Sequence, residues 1–307
     1  MVDSTFEEKK MNSSNLLNQA TYGDIQFKAS HNAYERKEDL AQQLTFKPEI
    51  PSNCGCLSVE LDIWRRSSDY KQYEFIDEGF FRVFHTSPHV IPPLGKSLKF
   101  YLSELQIFNR QNPEHHPILV VLDVKSTNGG YADFHHQIDT YLKCHFGESL
   151  LMKPKDVVQA DYPYENSLCT YIKTEGWPSI EAMRGKFIFC LSGNKDWKSR
   201  YSKEQLLDNR YCFSDMDLPD NDPTLTPPSD GNIVFFNFHI FQSNKAIWKK
   251  IVPKFAEQNL ITRAYEVNSE SNWIACLEAK FNALATNKIS NHSWAKVSDQ
   301  SIYQIKQ

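Results

Sequence analysis

Short apolar runs that alternate with amphipathic segments constrain the fold of this 307-residue chain more than any other feature of its sequence. The run at 117–125 is nearly all apolar, which is typical of a strand buried on both faces of a parallel sheet. Seven further runs predict strands at 25–30, 56–64, 81–85, 186–192, 232–241, 260–267 and 284–289. Eight strands with helices between them predict an α/β fold, the (β/α)8 or TIM barrel.

The predicted barrel is irregular between strands two and three, because residues 65–79 show no amphipathic helical pattern. A segment rich in Pro and Asp, residues 214–231, predicts a surface loop. We expect one catalytic domain over residues 1–307, with an N-terminal arm at 1–20 and a C-terminal extension at 290–307. Helices are predicted at 97–110, 131–144, 244–258 and 272–284.

Composition and charge exclude several classes of protein. A formal net charge of -4 argues against nucleic acid as a partner. The N-terminus lacks the basic and apolar regions of a signal peptide, and no apolar stretch approaches the roughly 20 residues of a membrane span. We therefore expect a soluble monomer, cytoplasmic or exported by a route independent of a signal peptide. Such a protein would meet a phospholipid membrane only from its surface.

Polar side chains stand where the first four apolar runs end. In a parallel barrel the carboxyl ends of the strands lie on one face, where such enzymes keep their active sites. Glu60 and Asp62 are two residues apart on one strand, so both side chains point the same way. The polar residues at these ends are His31, Asn32, Glu60, Asp62, His85, Asp123 and Lys125.

The residue types at these strand ends indicate metal-assisted acid–base chemistry. Three carboxylates and an amide oxygen that converge on one point form a hard oxygen site, which suits calcium or magnesium. Two histidines beside such a site suit proton transfer near neutral pH. A single strand-end histidine is more often structural, and a single E-x-D pair is more often solvated or ion-paired. Their conjunction at four strand ends favours the functional interpretation.

These motifs resemble those of calcium-dependent phosphoinositide-specific phospholipase C. The matching residues are S-H-N at 30–32, E-L-D at 60–62, His85 and the acidic end of run four. Residues 53–64 look like the stretch that enters the second strand of that family's catalytic X region. The resemblance implies a calcium-dependent phosphodiesterase on a TIM barrel, closest to the single-domain, bacterial-type members.

The resemblance implies catalytic roles for the matching residues. His31 would stabilise charge on the phosphoryl oxygens, and His85 would be the general acid for the departing diacylglycerol oxygen. Glu60, or Asp62 in its place, would accept the proton of the attacking inositol 2-hydroxyl. Because the nucleophile belongs to the substrate, the first product would be a cyclic inositol phosphate, which water could then open.

A calcium site and substrate contacts are also implied. Arg263, near the end of run seven, matches a substrate-contacting arginine of the family. Lys125 would bind phosphate or pair with a neighbouring carboxylate. Cys190 and Ser192 stand where the eukaryotic enzymes have lysines that grip ring phosphates, which favours phosphatidylinositol itself as the substrate. The implied calcium ligands are Asn32, Glu60, Asp62 and Asp123.

Two other functions stay open at this point. A glycerophosphodiester phosphodiesterase shares the barrel, both histidines and the E-x-D pair, but typically has Arg-Gly where this chain has Asn32-Ala33. A non-catalytic lipid-binding barrel is disfavoured, because both histidines and every proposed ligand are present. Aromatic residues after the E-L-D strand would either form a membrane-inserting rim or cover the barrel. They are Trp64, Tyr70, Tyr73, Phe75, Phe80 and Phe81.

Overall fold

A single sheet organises the part of the chain that the computed structural model describes, residues 19–47, 49, 55–65, 76–85, 95–125, 134–159, 167–203 and 210–306. Its strands are β1 (Ile25–Ser30), β2 (Ser58–Arg65), β3 (Phe81–Val83), β4 (Lys96–Ser97), β5 (Ile118–Val124), β6 (Phe187–Gly193), β7 (Cys212–Asp217), β8 (Phe235–His239), β9 (Ile261–Tyr265), β10 (Ala283–Thr286) and β11 (Tyr303–Ile305).

Eight of these described strands form a closed parallel barrel, which confirms the predicted fold. The order is β1, β2, β5, β6, β7, β8, β9 and β10, and β10 pairs back onto β1. The pairing of β1 with β2 is short, from Ala29 with Ser58 to Ser30 with Val59. At the other end of β1, β11 adds an antiparallel strand whose Ile305 lies opposite Ile25.

Two of the predicted strand assignments are wrong. Run three is not a barrel strand, because β3 pairs antiparallel with β2, and β4 extends the same hairpin. The missing parallel strand is β7, whose last four residues, 214–217, were assigned to a surface loop. Its sequence, Cys-Phe-Ser-Asp-Met-Asp, is too polar to look like a buried strand.

Helices lie between most of the barrel strands. The four predicted helices are present with shifted ends. The first three residues of the second predicted helix, 131–133, lie outside the described part. The fourth helix ends before residue 279, because β10 follows it. Other described helices were not predicted, among them one after β6 whose mean hydropathy is low. The helices are α1 (Leu40–Leu44), α2 (Leu98–Gln111), α3 (Phe134–His145), α4 (Pro154–Val157), α5 (Leu168–Glu175), α6 (Lys195–Lys203), α7 (Lys245–Ala256) and α8 (Glu270–Glu278). Among the residues described, no helix is long and apolar enough to cross a membrane.

Strand register decides which side chains face the barrel interior. Directly paired residues on neighbouring strands point to the same face. Asp62 pairs with Asp123, Asp123 pairs with Ser192, and Asp217 pairs with Asn237, so these polar side chains share the interior at its carboxyl end. Below them the interior is apolar, with Phe27, Leu119, Ile188, Phe213, Phe235 and Ile261. The apolar layers thus form a floor beneath a polar opening.

Candidate active site

A cavity of about 440 Å³ opens at the carboxyl end of the barrel. Its volume is in the range of small-molecule sites. Asp62 is fully buried beside it, at 0% exposure. Every other residue that the sequence singled out for the site lines the cavity: His31, Asn32, Glu60, His85, Asp123, Lys125 and Arg263.

Three carboxylates form a cluster with the oxygen atoms that a calcium site needs. One oxygen each from Glu60, Asp62 and Asp123 lies within 4.8 Å of the other two. Oδ1 of Asp62 and Oδ1 of Asp123 are buried without a hydrogen bond of normal geometry from the described residues, whereas Oδ2 of Asp62 faces the Lys125 ammonium at 3.3 Å. Buried acceptors without donors are costly, and a hard cation removes that cost. These residues therefore fit a bound calcium ion.

Gly193 leaves room for this cluster. A Cβ atom on Gly193 would lie 2.1 Å from Oδ1 of Asp123 and 2.6 Å from the carbonyl oxygen of Val124. Its φ of 79° also lies in the left-handed region that side chains rarely adopt. Only glycine therefore permits β6 to end this close to Asp123.

The three carboxyl groups of the cluster differ in the direction in which their pKa is shifted. Burial, together with the neighbouring Asp123 carboxylate, raises the pKa of Asp62 to about 7. Burial also raises the pKa of Asp123, against the opposing effect of Lys125. For Glu60, burial acts in the same direction, but Arg263 and His31 outweigh it and lower the pKa. Glu60 is therefore the member most firmly held as a carboxylate.

Lys125 lies between the two aspartates of the cluster. Its Nζ is 2.7 Å from Oδ2 of Asp123 and 3.3 Å from Oδ2 of Asp62. Burial is the largest single effect on the Lys125 ammonium and acts to lower its pKa, but the two carboxylates together outweigh it and raise that pKa. In this structure Lys125 pairs with the two carboxylates, and its role in binding phosphate stays a prediction.

His31 is oriented by contacts on both ring nitrogens. Its Nδ1 lies 2.8 Å from the side-chain oxygen of Asn287, so Nδ1 carries the proton of that hydrogen bond. Its Nε2 lies 3.8 Å from Oε2 of Glu60. Tyr265 stacks on the ring at a centroid separation of 6.2 Å. The ring is thus fixed with Nε2 directed at the carboxylate cluster.

Asn32 contacts the carboxylate cluster through its backbone N–H. It adopts a left-handed conformation, with φ 48° and ψ 57°, two residues after the end of β1. In that conformation its N–H donates to Oε2 of Glu60 at 3.2 Å. Asparagine tolerates this region better than most residues.

His85 reaches the cavity by a different route from the one predicted. It follows the antiparallel strand β3, and the N–H of Phe84 donates to the carbonyl oxygen of Asp62 at 3.2 Å. The hairpin therefore returns the chain to the end of β2. The His85 side chain is 54% exposed, and its Nδ1 lies 3.7 Å from Oε1 of Glu35. It is the more accessible of the two histidines.

Asp217, Asn237 and Asn287 lie at or beside the site but are not among the residues that the sequence singles out, and Arg263 connects two of them to Glu60. Arg263 pairs with Glu60 at 2.8 Å and donates to Oδ1 of Asn237 at 2.9 Å. Asn237 in turn donates to Asp217 at 3.1 Å. The signal was available, because Asn237 and Asp217, like Asn287, are polar residues close to the carboxyl ends of barrel strands. The pattern of polar residues at the carboxyl ends of strands, which singles out the ends of runs one to four, therefore also applies to Asp217, Asn237 and Asn287.

Of the two alternatives for the aromatic residues after the E-L-D strand, two members follow the second and cover the barrel. Phe80 and Phe81 are buried, at 5% and 0% exposure, and Phe81 packs edge-on against Tyr141 of α3. Trp64 is half-buried and stacks on Phe84 at 5.2 Å. Tyr70, Tyr73 and Phe75 lie outside the described residues.

Sequence and fold are similar to known phospholipases C. The family model described as phosphoinositide phospholipase C, Ca2+-dependent, matches residues 59–232, more than half of the chain. The match includes Glu60, Asp62, His85 and Asp123 but begins after His31. A comparison with curated proteins gives no match.

Two bacterial phospholipases C of known structure have a similar fold. A calcium-dependent phosphoinositol-specific phospholipase C from a Pseudomonas species is 18% identical, with a TM-score of 0.68 over 94% of this chain and 96% of that chain. A Ca2+-dependent phosphatidylinositol-specific phospholipase C from Streptomyces antibioticus is 16% identical, with a TM-score of 0.63 over 87% of this chain and 95% of that chain. At these identities, the two structures support the fold.

Proposed function

The chain belongs to the calcium-dependent phosphoinositide phospholipase C family, and on that premise we propose that it cleaves phosphatidylinositol, or a close phosphoinositide, into diacylglycerol and an inositol phosphate through a cyclic phosphodiester. The observation that carries the proposal is the meeting of His31 and the carboxylate cluster in one cavity. The family membership also disfavours the glycerophosphodiester phosphodiesterase and the non-catalytic barrel.

The proposed calcium ligands are the cluster residues Glu60, Asp62 and Asp123, together with Asn32. When bound, calcium would neutralise charge on the phosphoryl group and lower the pKa of the attacking hydroxyl. The buried oxygens without hydrogen bonds on Asp62 and Asp123 support this assignment. Asp123 is shorter than the glutamate common in the family. Strand β6 ends so close to Asp123 that a Cβ atom on Gly193 would lie 2.1 Å from its Oδ1.

Proton transfer would fall to the two histidines and Glu60. Glu60 is the proposed acceptor of the 2-hydroxyl proton, because Arg263 and His31 keep it ionised. His31, with its Nδ1 proton directed at Asn287, presents Nε2 toward the phosphoryl oxygens. His85 is the proposed general acid for the diacylglycerol oxygen. Its high exposure at the rim of the cavity suits a leaving group that departs toward lipid.

Two basic residues would bind the substrate phosphate. Arg263 lines the cavity within 2.8 Å of Glu60, which places its guanidinium beside the reacting group. Lys125 lines the cavity too, and with Asp123 and Asp62 engaged as calcium ligands its ammonium would be available to pair with a phosphoryl oxygen. Both side chains therefore offer charge where the phosphodiester would lie.

We propose peripheral contact with a phospholipid surface, with an inositol phosphate as the water-soluble product, no nucleic acid as a partner, and a monomeric state. Exposed apolar side chains close to the barrel opening support the lipid contact. Met216 on β7 is 41% exposed and Phe241, just after β8, is 39% exposed. Apolar side chains in such positions favour the interfacial region of a bilayer.

Product analysis tests the proposed function. The protein is incubated with phosphatidylinositol vesicles in calcium or in chelator, and lipid and water-soluble products are separated. We expect diacylglycerol and a cyclic inositol phosphate with calcium, and neither product with chelator. His31→Ala and His85→Ala should each lower the rate by at least about 100-fold. His136→Ala, at an exposed position on α3, is the matched control and should keep wild-type activity.

Three results would contradict the proposal. One is the release of phosphatidic acid or glycerol phosphate as the product. Another is activity that persists fully in chelator. The third is a full wild-type rate in both histidine variants.

A further inference from the structure

A buried lysine holds an acidic side chain on the wall of the cavity. Lys198 lies in the first turn of α6, and 6% of its side chain is exposed. Its Nζ lies 2.6 Å from Oδ1 of Asp215 and 2.9 Å from Oδ2 of Asp217. Asn237 donates to Oδ1 of Asp217 at 3.1 Å. Asp217 is therefore held in one orientation from two sides.

Asp217 is the member of this group that a ligand can reach. The side chain of Asp215 is 5% exposed, whereas that of Asp217 is 50% exposed and lines the cavity. A carboxylate oxygen can accept two hydrogen bonds, so each oxygen of Asp217 keeps acceptor capacity beyond its contact with Lys198 or Asn237. Hydrogen bonds from a hydroxyl to an ionised carboxylate are about twice as strong as neutral ones. This wall therefore suits a ligand that donates.

The same wall disfavours a ligand that carries additional phosphate groups. Glu266, whose side chain is 48% exposed, also lines the cavity and can only accept hydrogen bonds when ionised. The lysine and arginine that line it among the described residues, Lys125 and Arg263, are assigned above to the phosphodiester, so neither would be left to bind a ring phosphate. A phosphomonoester carries about 1.5 to 2 negative charges at neutral pH, and most of its oxygens only accept. It would meet Asp217 and Glu266 as like charges.

We propose that Asp217 accepts hydrogen bonds from the ring hydroxyls of the inositol head group and so makes the enzyme specific for phosphatidylinositol without ring phosphates. This inference rests on the proposed function. Inositol hydroxyls donate, which matches the acceptors of the wall. A ring phosphate in the same place removes a donor and adds charge. Sites built to hydrogen-bond a hydroxyl reject analogues that lack it by large factors.

Head-group competition tests the inference. Initial rates are measured with calcium on mixed micelles that contain phosphatidylinositol, its 4-phosphate or its 4,5-bisphosphate at equal surface fraction. We expect the wild type to cleave phosphatidylinositol at least about 100-fold faster than the bisphosphate. Asp217→Asn should lower kcat/KM on phosphatidylinositol about tenfold or more and narrow that ratio. Asp220→Asn changes an exposed neighbour outside the cavity lining and is the control. It should leave kcat/KM on phosphatidylinositol and the ratio of rates on the two lipids unchanged.

The outcomes separate this inference from the proposed function. Wild-type cleavage of the bisphosphate at a rate equal to or above that of phosphatidylinositol overturns the inference and leaves the proposed function standing. An unchanged substrate ratio in Asp217→Asn, with calcium affinity and melting temperature retained, also overturns it. Failure of the wild type to cleave any of the three lipids with calcium overturns both. The wild-type ratio decides the specificity even if the variant does not fold.

Discussion

Replacing Lys125 with methionine should make the protein bind calcium more tightly. The Lys125 ammonium lies 2.7 Å from Asp123 and 3.3 Å from Asp62, the two carboxylates that a calcium ion would share. A divalent cation must therefore break this pair or bind beside a positive charge. Methionine keeps most of the length and packing of the stem without the charge.

The expected magnitude follows from the burial of the pair. Exposed ion pairs contribute about 0 to 1 kcal/mol, and breaking a fully buried pair costs about 3 to 5 kcal/mol. The Lys125 side chain is 31% exposed and that of Asp62 is 0% exposed, so an intermediate value of about 1.5 to 3 kcal/mol applies. At 1.4 kcal/mol for each factor of ten, Lys125→Met should lower the Kd for calcium about 10-fold to 100-fold.

Calcium titration calorimetry measures this change directly. Thermal unfolding in chelator adds an independent readout, because the variant leaves buried carboxylates without their counter-ion and should melt at a lower temperature than the wild type. Calcium should then raise its melting temperature by more than it does for the wild type. Lys249→Met breaks an exposed pair with Glu278 and is the matched control. An unchanged or weaker calcium affinity in Lys125→Met would refute the competition between lysine and metal.

Other variants probe the support of the site and the C-terminal strand. Asn287→Ala removes the acceptor that fixes His31, and kcat should fall about 10-fold to 100-fold with calcium affinity unchanged, which steady-state kinetics and calorimetry together measure. Gly193→Ala should weaken calcium binding and destabilise the fold by about 1 to 3 kcal/mol in urea denaturation, because its Cβ would collide with Asp123. Burial lowers the pKa of Lys306 to about 7. From about pH 7 upward, the unfolded chain therefore keeps a proton on Lys306 that the folded chain releases. The free energy of unfolding should therefore rise between about pH 7 and about pH 9. Urea denaturation midpoints at the two ends of this pH range check the prediction, and Lys306→Met should reduce the dependence of the midpoint on pH. A wild-type midpoint that does not change with pH would contradict the prediction.

The sequence by itself determined the local features of this protein. Apolar runs gave most of the barrel strands, because a strand buried on both faces excludes polar residues until it ends. The spacing of Glu60 and Asp62 placed both side chains on one face, since strand side chains alternate. The polar strand ends predicted that His31, Glu60 and Asp123 lie close together, and all three line one cavity.

Only the tertiary structure decided which segments pair and in which direction. Run three has the pattern of a barrel strand but returns antiparallel, and that depends on its partner β2 and not on its own residues. Strand β7 is hard to recognise because Asp215 and Asp217 look like loop residues. The burial of Asp215 is tolerated because Lys198 from α6 pairs with it. The pairing of Lys125 with Asp62 likewise depends on the register between β2 and β5, which places Asp62 beside Asp123. Local patterns report burial, whereas strand partners and counter-ions are brought together by contacts between residues distant in sequence.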